Sequence, residues 1–344
     1  MKIVLDVFGG DNSPFAQIAG AVAFVNEQKN TDVVLTGDSE TILGELKKYK
    51  YETSRITVVH APEVISNEES PTDAIRHKKE SSLVKAYDLL KTEEDIGGML
   101  SSGSTGAVLT GSVLKIGRID GVQRPALAPL LPTRGGGRVC LIDCGANVDC
   151  RPEFLEQFAL LAVCYMRRVH GVENPRVGLV SVGVEDHKGN ALTKEVFATL
   201  KKLPINFMGN MEARDALTGD YDILVADGFV GNVLLKTVEG TAKMVMSELK
   251  SAILSSGSAK FGALFMKKAF NKLKHDMDYN MYGGAPFLGA KKVVVKAHGA
   301  SNPDAILAAL RQVNKMIEAD LVAGIKEEMV KLADLTQGDA AHVE

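Results

Sequence analysis

The sequence predicts an α/β protein in which helices cover both faces of a mostly parallel sheet, a three-layer α/β/α sandwich. Short β-branched runs alternate with longer amphipathic stretches, a rhythm typical of βαβ units. The runs are KIVLDV, DVVLTG, RITVVH, GGMLSS, RVCLID, RVGLVSVG, DILVAD and KKVVVKA. A chain of 344 residues with 45% hydrophobic residues can bury a large core. We predict a single α/β domain over residues 1–344.

The composition excludes several classes of protein. A formal net charge of -3 gives no basic field for nucleic acid, and Trp is absent. The start of the chain lacks the pattern of a signal peptide, and the longest apolar helical run, 158–166, is too short to span a bilayer. We therefore expect a cytoplasmic protein that at most rests on a membrane. The cysteines form no Cys-x-x-Cys pair, so we predict no metal site and no disulfide.

The amphipathic stretches predict helices over 14–29, 152–169, 192–202 and 302–329. Several begin with a polar residue and Pro, as at Ser70-Pro71 and Asn302-Pro303, where the polar side chain is expected to cap the helix.

Residues 241–280 depart from the α/β rhythm and predict a protruding helical hairpin, broken near 255–262. The second helix places apolar residues at helical spacing among lysines: Phe261, Leu264, Phe265, Phe270 and Leu273 with Lys267, Lys268, Lys272 and Lys274. This pattern fits a helix on a partner subunit, an interfacial membrane helix, or an ordinary core-packing helix.

Glycine-rich turns follow most of the predicted strands. In an open α/β sheet such loops meet at the carboxyl edge, and the next helices begin there with unpaired N–H groups that favour anions. Several loops of this kind predict a phosphate-bearing ligand. Their residues are Gly9-Gly10-Asp11, Ser102-Gly103-Ser104-Thr105, Gly145-Ala146-Asn147, Lys188-Gly189-Asn190, Asp227 to Asn232, and His298 to Asn302.

Familiar catalytic motifs are absent from these loops. No Gly-x-Gly-x-x-Gly, P-loop, Gly-x-Ser-x-Gly or His-Glu-x-x-His pattern occurs, so we predict no cofactor. Lys188 is the obvious loop cation. Asp227 either caps the next helix or ties down its turn, and His298 is either a core histidine or a functional one.

The same stretches resemble one family over nearly the whole chain, the bacterial phosphate acyltransferases of phospholipid synthesis (the PlsX family). The stretches are DVFGGDNSP, EVISNEESPTDAIRHKKESS, SSGSTGAVLT, IGRIDGVQRPALAPLLPT, DCGANVDCRPEFLEQFA, GLVSVGVEDHKGNALTKE, DILVADGFVGNVLLKTVEG and YGGAPFLGAKKVVVKAHGASN. More distantly the chain is similar to the Rossmann-like fold of isopropylmalate dehydrogenase and phosphotransacetylase. It departs from the family pattern at Val7, Phe8, Ser104 and Phe287.

The resemblance implies transfer of a long-chain acyl group from acyl carrier protein to inorganic phosphate. It also implies a homodimer that associates peripherally with the membrane and passes acyl phosphate to a downstream membrane acyltransferase. Basic candidates for carrier docking are residues 76–79 and Lys267-Lys268. The open alternatives are phosphotransacetylase-like transfer from acyl-CoA, a dehydrogenase of the isopropylmalate type, and a non-catalytic membrane scaffold for the carrier.

This chemistry suits the loop residues. Phosphate is already largely dianionic near neutral pH and a thiolate leaves readily, so the reaction needs a cation and oxyanion donors rather than a Ser-His-Asp triad. We predict catalytic roles for Lys188, Asn232, Asp227 and His298, with Asp227 as an orienting group. Predicted substrate-binding residues are Gly9, Gly10, Asp11, Ser102, Gly103, Ser104, Thr105, Asn147, Gly189, Asn190, Gly231, Ser301 and Asn302.

Overall fold

The structure is a computed structural model that describes residues 1–276 and 283–341, and these residues form two sheets. The first sheet contains β1 (Lys2–Asp6), β2 (Asp32–Gly37), β3 (Ile56–His60), β4 (Ile96–Ser101), β5 (Ala126–Leu127), β11 (Ala285–Leu288) and β12 (Val293–Lys296), in the order β3-β2-β1-β4-β12-β11-β5. The second contains β6 (Leu130–Pro132), β7 (Arg138–Ile142), β8 (Arg176–Ser181), β9 (Asn206–Glu212) and β10 (Ile223–Val225), in the order β6-β7-β10-β8-β9.

Helices cover the faces of both sheets. They are α1 (Phe15–Glu27), α2 (Ser39–Leu46), α3 (Pro71–His77), α4 (Ser82–Thr92), α5 (Thr105–Gly111), α6 (Pro152–His170), α7 (Ala191–Leu200), α8 (Gly228–Leu254), α9 (Gly257–Asp276), α10 (Pro303–Glu318) and α11 (Leu321–Ala341). A π-helical turn, Ser112–Ile116, extends α5.

The central strands of the first sheet are parallel, so their carboxyl ends lie side by side. β1 pairs with β2 and β4, and β12 pairs with β4 on its other side. The register places Ser101 opposite both Asp6 and Lys296. These strands are buried on both faces, which explains their continuous apolar runs.

The second sheet brings together the ends of β7, β10 and β8 in the same way. β10 lies between β7 and β8, parallel to both, with Val225 opposite Ile142 and Leu179. The loops after β7 and β8 carry Asn147 and Lys188, and the helix that follows β10 carries Asn232 in its first turns.

One extended segment joins the two sheets edge to edge. β5 pairs antiparallel with β11 of the first sheet, and β6 pairs antiparallel with β7 of the second. Helix α6 is largely buried and packs against strands of both sheets. The hydrophobic core is therefore continuous across the join, from Leu5 in β1 to Ile223 in β10. We retain the single domain over residues 1–344 as a proposal.

The α/β prediction is confirmed, with differences of detail. Each predicted run contains a strand, but the short strands β5, β6 and β11 and the strand β9 were not predicted. The sheet is split in two because the connecting segment 126–132 turns from one set of strands to the other. The predicted helix 302–329 is two helices, because Asp320 takes a positive φ of 45° between them. Asn302 caps α10 through Ala305, whereas Ser70 makes no side-chain cap on α3.

The predicted hairpin is formed by the outer part of α8 and by α9, which pack on each other. The helices break at Ser255 and Ser256, within the predicted interval. Phe261 and Phe265 are 65% and 79% exposed, which argues against a core-packing helix within this chain. Residues 277–280, the last of the predicted hairpin, lie outside the described residues.

Candidate active site

The carboxyl edge of the first sheet holds a buried row of polar groups. Ser101 Oγ donates to Asp6 Oδ2 at 2.7 Å, and the N–H of Gly103 donates to Ser101 Oγ at 3.1 Å. The ammonium of Lys296, a residue only 9% exposed, donates to the carbonyls of Ser102 and Ala297. Burial lowers the pKa of Lys296 to about 8, against the raising effect of the Asp6 charge. Burial raises the pKa of Asp6. Hydrogen bonds from Ser82 and Ser101, and the charge of Lys296, act in the opposite direction and lower it.

The loops after β1, β4 and β12 meet above this row at contact distance. A Cβ on Gly9 would stand 2.6 Å from the Gly103 nitrogen, and one on Gly10 would stand 2.7 Å from Ser102 Oγ. The N–H of Asp11 donates to the Gly299 carbonyl at 2.9 Å. Neither Gly9 nor Gly10 has a positive φ, so backbone conformation is not what requires glycine at these positions. Glycine is required because the neighbouring loops approach too closely for a side chain.

His298 follows β12 and faces the same region. The N–H of Ala300 donates to its Nδ1 at 3.1 Å, so the neutral imidazole carries its proton on Nε2. Burial lowers the pKa of His298 below its ordinary value, opposed by Glu239 and reinforced by Lys296 and Lys236. His298 is thus a neutral N–H donor near pH 7 rather than a cation.

The second sheet contributes a loop organised by Asp143. This buried carboxylate accepts the backbone N–H groups of Leu127, Cys144, Ala146 and Asn147, together with the Asn147 side-chain amide. Burial raises the pKa of Asp143, and these hydrogen bonds oppose the shift. The carboxylate therefore holds the turn that carries Gly145 and Asn147.

Helix α8 begins against that turn. The N–H of Gly228 donates to the Asn147 carbonyl at 2.8 Å, and Asp227 caps the helix by accepting the N–H of Val230 at 2.8 Å. A Cβ on Gly231 would overlap the carbonyl oxygen of Asp143. A Cβ on Gly145 would lie 3.6 Å from the Asn232 side chain. Asp227 thus organises the start of α8, as one of the two predicted alternatives has it.

The loop after β8 is more exposed. Lys188 lies in solvent beside Gly183, while Gly189 takes a positive φ of 112°. Asn190 caps α7 by accepting the N–H of Thr193 at 2.9 Å. Its side-chain oxygen is therefore occupied by the helix, and its amide N–H groups are what it can offer a ligand.

A cavity of about 100 Å³ lies between the first sheet and α8. Thr105, Lys296 and His298 line one side, and Lys236 and Glu239 of α8 line the other. Its apolar wall consists of Leu127, Pro129, Leu130, Leu235 and Ala285. Asn232 stands one turn before Lys236 on the same side of α8, since residues four apart share a helical face.

The structure thus gathers most of the predicted residues but not all. Gly9, Gly10, Asp11, Ser102, Gly103, Ser104, Thr105, His298, Ser301 and Asn302 come together on the first sheet. Ser301 is buried, Ser104 precedes α5 without capping it by its side chain, and Asn302 caps α10. Asn147, Asp227, Gly231 and Asn232 come together on the second sheet, while Lys188, Gly189 and Asn190 lie on the neighbouring loop. Lys188 is not among the residues that line the cavity.

Sequence reasoning missed Lys296, Lys236 and Glu239. Lys296 carried a usable signal, because it ends the buried run VVVK at the ligand-binding edge of a parallel sheet. Lys236 and Glu239 carried no such signal, since they read as an ordinary pair on a helix surface; they form an ion pair at 2.8 Å.

Across residues 1–276 and 283–341 no helix is long and apolar enough to cross a membrane, and no acidic, His and Cys side chains cluster as a metal site would require.

Comparison with known proteins now adds to this geometry. A family model described as "Fatty acid synthesis protein" matches residues 1–323. The chain belongs to this family. Members named phosphate acyltransferase include one from Clostridium perfringens strain SM101, 47% identical over 332 residues that cover 96% of this chain and 97% of the relative. Another, from Clostridium acetobutylicum, is 46% identical and covers 96% of this chain and 100% of the relative. The expectation of an acyltransferase is confirmed.

Solved structures agree on the fold. A phosphotransacetylase from Streptococcus pyogenes superposes with a TM-score of 0.59 over 94% of each chain at 15% identity. A branched-chain phosphotransacylase from Enterococcus faecalis V583 gives 0.57 over 92% of this chain and 99% of its own at 13% identity. At this identity the likeness concerns the fold alone, and it confirms the predicted phosphotransacetylase-like architecture.

Gly231→Ala tests the packing of α8 on the Asp143 turn. The added methyl would overlap the Asp143 carbonyl oxygen, so we expect the variant to lose about 1–3 kcal/mol of unfolding free energy. Gly240→Ala, on the same helix with open space around its Cβ, is the control and should be neutral or stabilising. Urea denaturation of both variants makes the measurement, and equal stabilities would contradict the packing argument.

Proposed function

We propose that the protein transfers a long-chain acyl group from acyl carrier protein to inorganic phosphate, giving acyl phosphate for phospholipid synthesis. The observation that supports this most is the cavity, where Lys296 and the His298 loop face an apolar wall. The side that carries Lys296 suits a phosphate dianion, and the apolar wall suits an acyl chain. The names of the curated relatives support phosphate as the acceptor. The carrier protein as donor and the place in phospholipid synthesis rest on the family resemblance.

The chemistry requires little acid–base assistance. A phosphate oxygen attacks the thioester carbonyl carbon, a C–O bond forms, and the C–S bond breaks as the tetrahedral intermediate collapses. The hydrogen phosphate dianion gives up its proton and the departing thiolate takes one up, so atoms and charge balance. The protein must hold a dianion against the carbonyl and stabilise the oxyanion.

The first sheet supplies groups for the phosphate. Lys296 carries a positive charge below its pKa of about 8, and its buried setting strengthens attraction to an anion. His298 lines the same cavity as a neutral imidazole with its proton on Nε2, and Thr105 contributes a hydroxyl at the start of α5. Asp11 lies next to Gly299 and is better placed to hold the loop than to touch a phosphate, since a carboxylate would repel it.

The second sheet supplies donors for the carbonyl oxygen. Asn232 lies within the first turns of α8, beside Gly145, and we assign it the role of oxyanion donor. Asp227 holds the N-terminus of that helix in place. We retain Lys188, on its exposed loop, as a second cation. We propose that its long side chain contacts the acyl donor or the phosphate.

An acyl-transfer assay tests the function directly. Purified protein is incubated with palmitoyl-carrier protein with and without inorganic phosphate, and the product is trapped with hydroxylamine. A phosphate-dependent hydroxamate is expected. A preference for acetyl-CoA would instead favour a phosphotransacetylase, and no consumption of either thioester would favour a scaffold.

Substitution of Asn232 or Lys188 by Ala tests the assigned roles. Loss of one oxyanion donor typically lowers the rate by ~10²–10³, and we expect at least that loss for each variant. Lys194→Ala, an exchange on α7 away from the cavity, serves as the control. Wild-type turnover in both site variants would refute the assignment.

The ionisation of Lys296 predicts that the use of phosphate depends on pH. The ammonium is charged below about pH 8, so kcat/KM for phosphate should fall as the pH rises above that value. In Lys296→Arg the guanidinium stays charged, so any remaining activity should lose this alkaline limb. Lys296→Met should abolish most turnover while the protein stays folded. An alkaline limb that is unchanged in the arginine variant would show that another group titrates.

We also propose that the hairpin brings the protein to the membrane surface as a homodimer. Phe261, Phe265 and Met266 are exposed, and Lys260, Lys267, Lys268 and Lys272 are exposed beside them. Apolar side chains among lysines suit the boundary of an anionic bilayer. There the acyl phosphate would pass to a membrane acyltransferase.

Of the other basic candidates for carrier docking, Lys78 pairs with Glu69 at 2.7 Å, whereas Arg76 and Lys79 are exposed.

Flotation with anionic phospholipid vesicles tests the hairpin. The double variant Phe261→Glu, Phe265→Glu should bind at least about tenfold more weakly, because two aromatic side chains are lost from the apolar boundary. Leu43→Glu changes a similarly exposed residue on α2 and is the control. Transfer from soluble acyl-carrier protein should persist in both variants. Undiminished flotation of the double variant would refute this use of the hairpin.

A further inference from the structure

A groove of about 430 Å³ lies beside α5, and it shares no lining residue with the cavity. Leu109, Val113, Pro125 and Asn147 line it together with Arg118 and Arg124. The two arginines are the charged residues of this lining, and the other lining residues are uncharged.

The groove and the cavity share two structural elements. Thr105 lines the cavity, while Leu109 and Val113, at successive intervals of four residues along α5 and the following turn, line the groove. On the opposite wall, Leu127 lines the cavity and Pro125, two residues earlier, lines the groove. The distance from Thr105 to Val113 is about 12 Å at the rise of an α-helix. The groove and the cavity are therefore neighbours along these two segments.

An arginine cluster adjoins the groove: Arg118 and Arg124 line it, and Arg151 lies beside them. Gln123 links two of them, since Arg118 donates to its carbonyl and Arg151 donates to its side-chain oxygen at 3.0 Å. Phe154 links the third, because the guanidinium carbons of Arg151 and Arg124 lie 4.8 and 5.7 Å from its ring centroid.

This cluster carries excess positive charge. Among the described residues, no carboxylate lies within ion-pair distance of Arg118 or Arg124, and Arg151 lies 4.0 Å from Glu153. Clustered guanidinium groups repel one another unless an anion binds between them, and their planar forks suit phosphate oxygens. The groove is thus complementary to a phosphate group attached to an uncharged chain.

We propose that the arginine cluster binds the phosphodiester of the phosphopantetheine arm that carries the acyl thioester. This inference rests on the proposed function. The arm has a thioester at one end, an uncharged pantetheine chain in the middle and a phosphodiester at the other end. The uncharged lining residues of the groove suit the pantetheine chain and its arginines suit the phosphodiester. The segments shared with the cavity place the groove next to the site where the thioester would react.

The experiment compares three donors with the double variant Arg118→Gln, Arg124→Gln. The donors are palmitoyl-carrier protein, palmitoyl-phosphopantetheine without the protein, and palmitoyl-pantetheine, which lacks the phosphate. Arg134→Gln, which changes an exposed arginine on the β6–β7 turn, is the control for the loss of a surface arginine elsewhere on the chain. Phosphate-dependent hydroxamate formation gives kcat/KM for each donor.

We expect kcat/KM of the double variant to fall about 10- to 100-fold with both phosphate-bearing donors, because hydrogen bonds to a charged phosphate contribute this much to affinity. With palmitoyl-pantetheine it should match the wild type, which also shows that the variant is folded and active. The control should match the wild type with all three donors.

Other outcomes overturn the proposal in distinguishable ways. A loss confined to the carrier protein would show that the arginines bind carboxylates on the carrier surface instead. An equal loss with palmitoyl-pantetheine would show that they support the fold of the site. Failure of the proposed function is separate, because the wild type would then form no hydroxamate from any donor.

Discussion

The structure depends on the burial of Lys296 at the carboxyl edge of a parallel sheet. Removing an ammonium from water is costly, and the surroundings compensate with carbonyls of Ser102 and Ala297 and with the charge of Asp6. An incoming phosphate dianion would complete that compensation. The same row holds Gly103 through Ser101, so the charge, the loop and the start of α5 form one connected arrangement.

Close backbone contact makes this arrangement possible. Gly9, Gly10 and Gly103 let the loops of three strands meet above Lys296, and Gly231 lets α8 lie directly on the Asp143 turn. At Gly9, Gly10 and Gly231 the neighbouring atoms leave no room for a β-carbon. The two sheets, joined through segment 126–132, therefore set a cationic edge opposite a helix that carries Asn232. Phosphate and thioester would be brought together across this cleft rather than within either sheet.

Much of the candidate site could be located from sequence because its signals are local. A strand followed by glycines and a polar residue identifies a carboxyl-edge loop, and this pattern led to His298, Asn232 and Asn147. Lys188 is the obvious loop cation in the sequence, yet it lies in solvent and outside the cavity lining. Lys296 was overlooked because it belongs to a strand, and the split of one sheet into two left no signal in hydrophobic periodicity.

The sequence alone determined the alternation of strands and helices, the glycine turns and the helical hairpin, because each depends on neighbouring residues. Family resemblance then indicated the reaction class. Only the tertiary structure decided which loops share a cleft, that Asp227 caps α8 and that Lys296 is buried. It also decided that three arginines, 118, 124 and 151, gather at a groove. Such relations join residues far apart in the chain, and they follow from packing and desolvation rather than from local pattern.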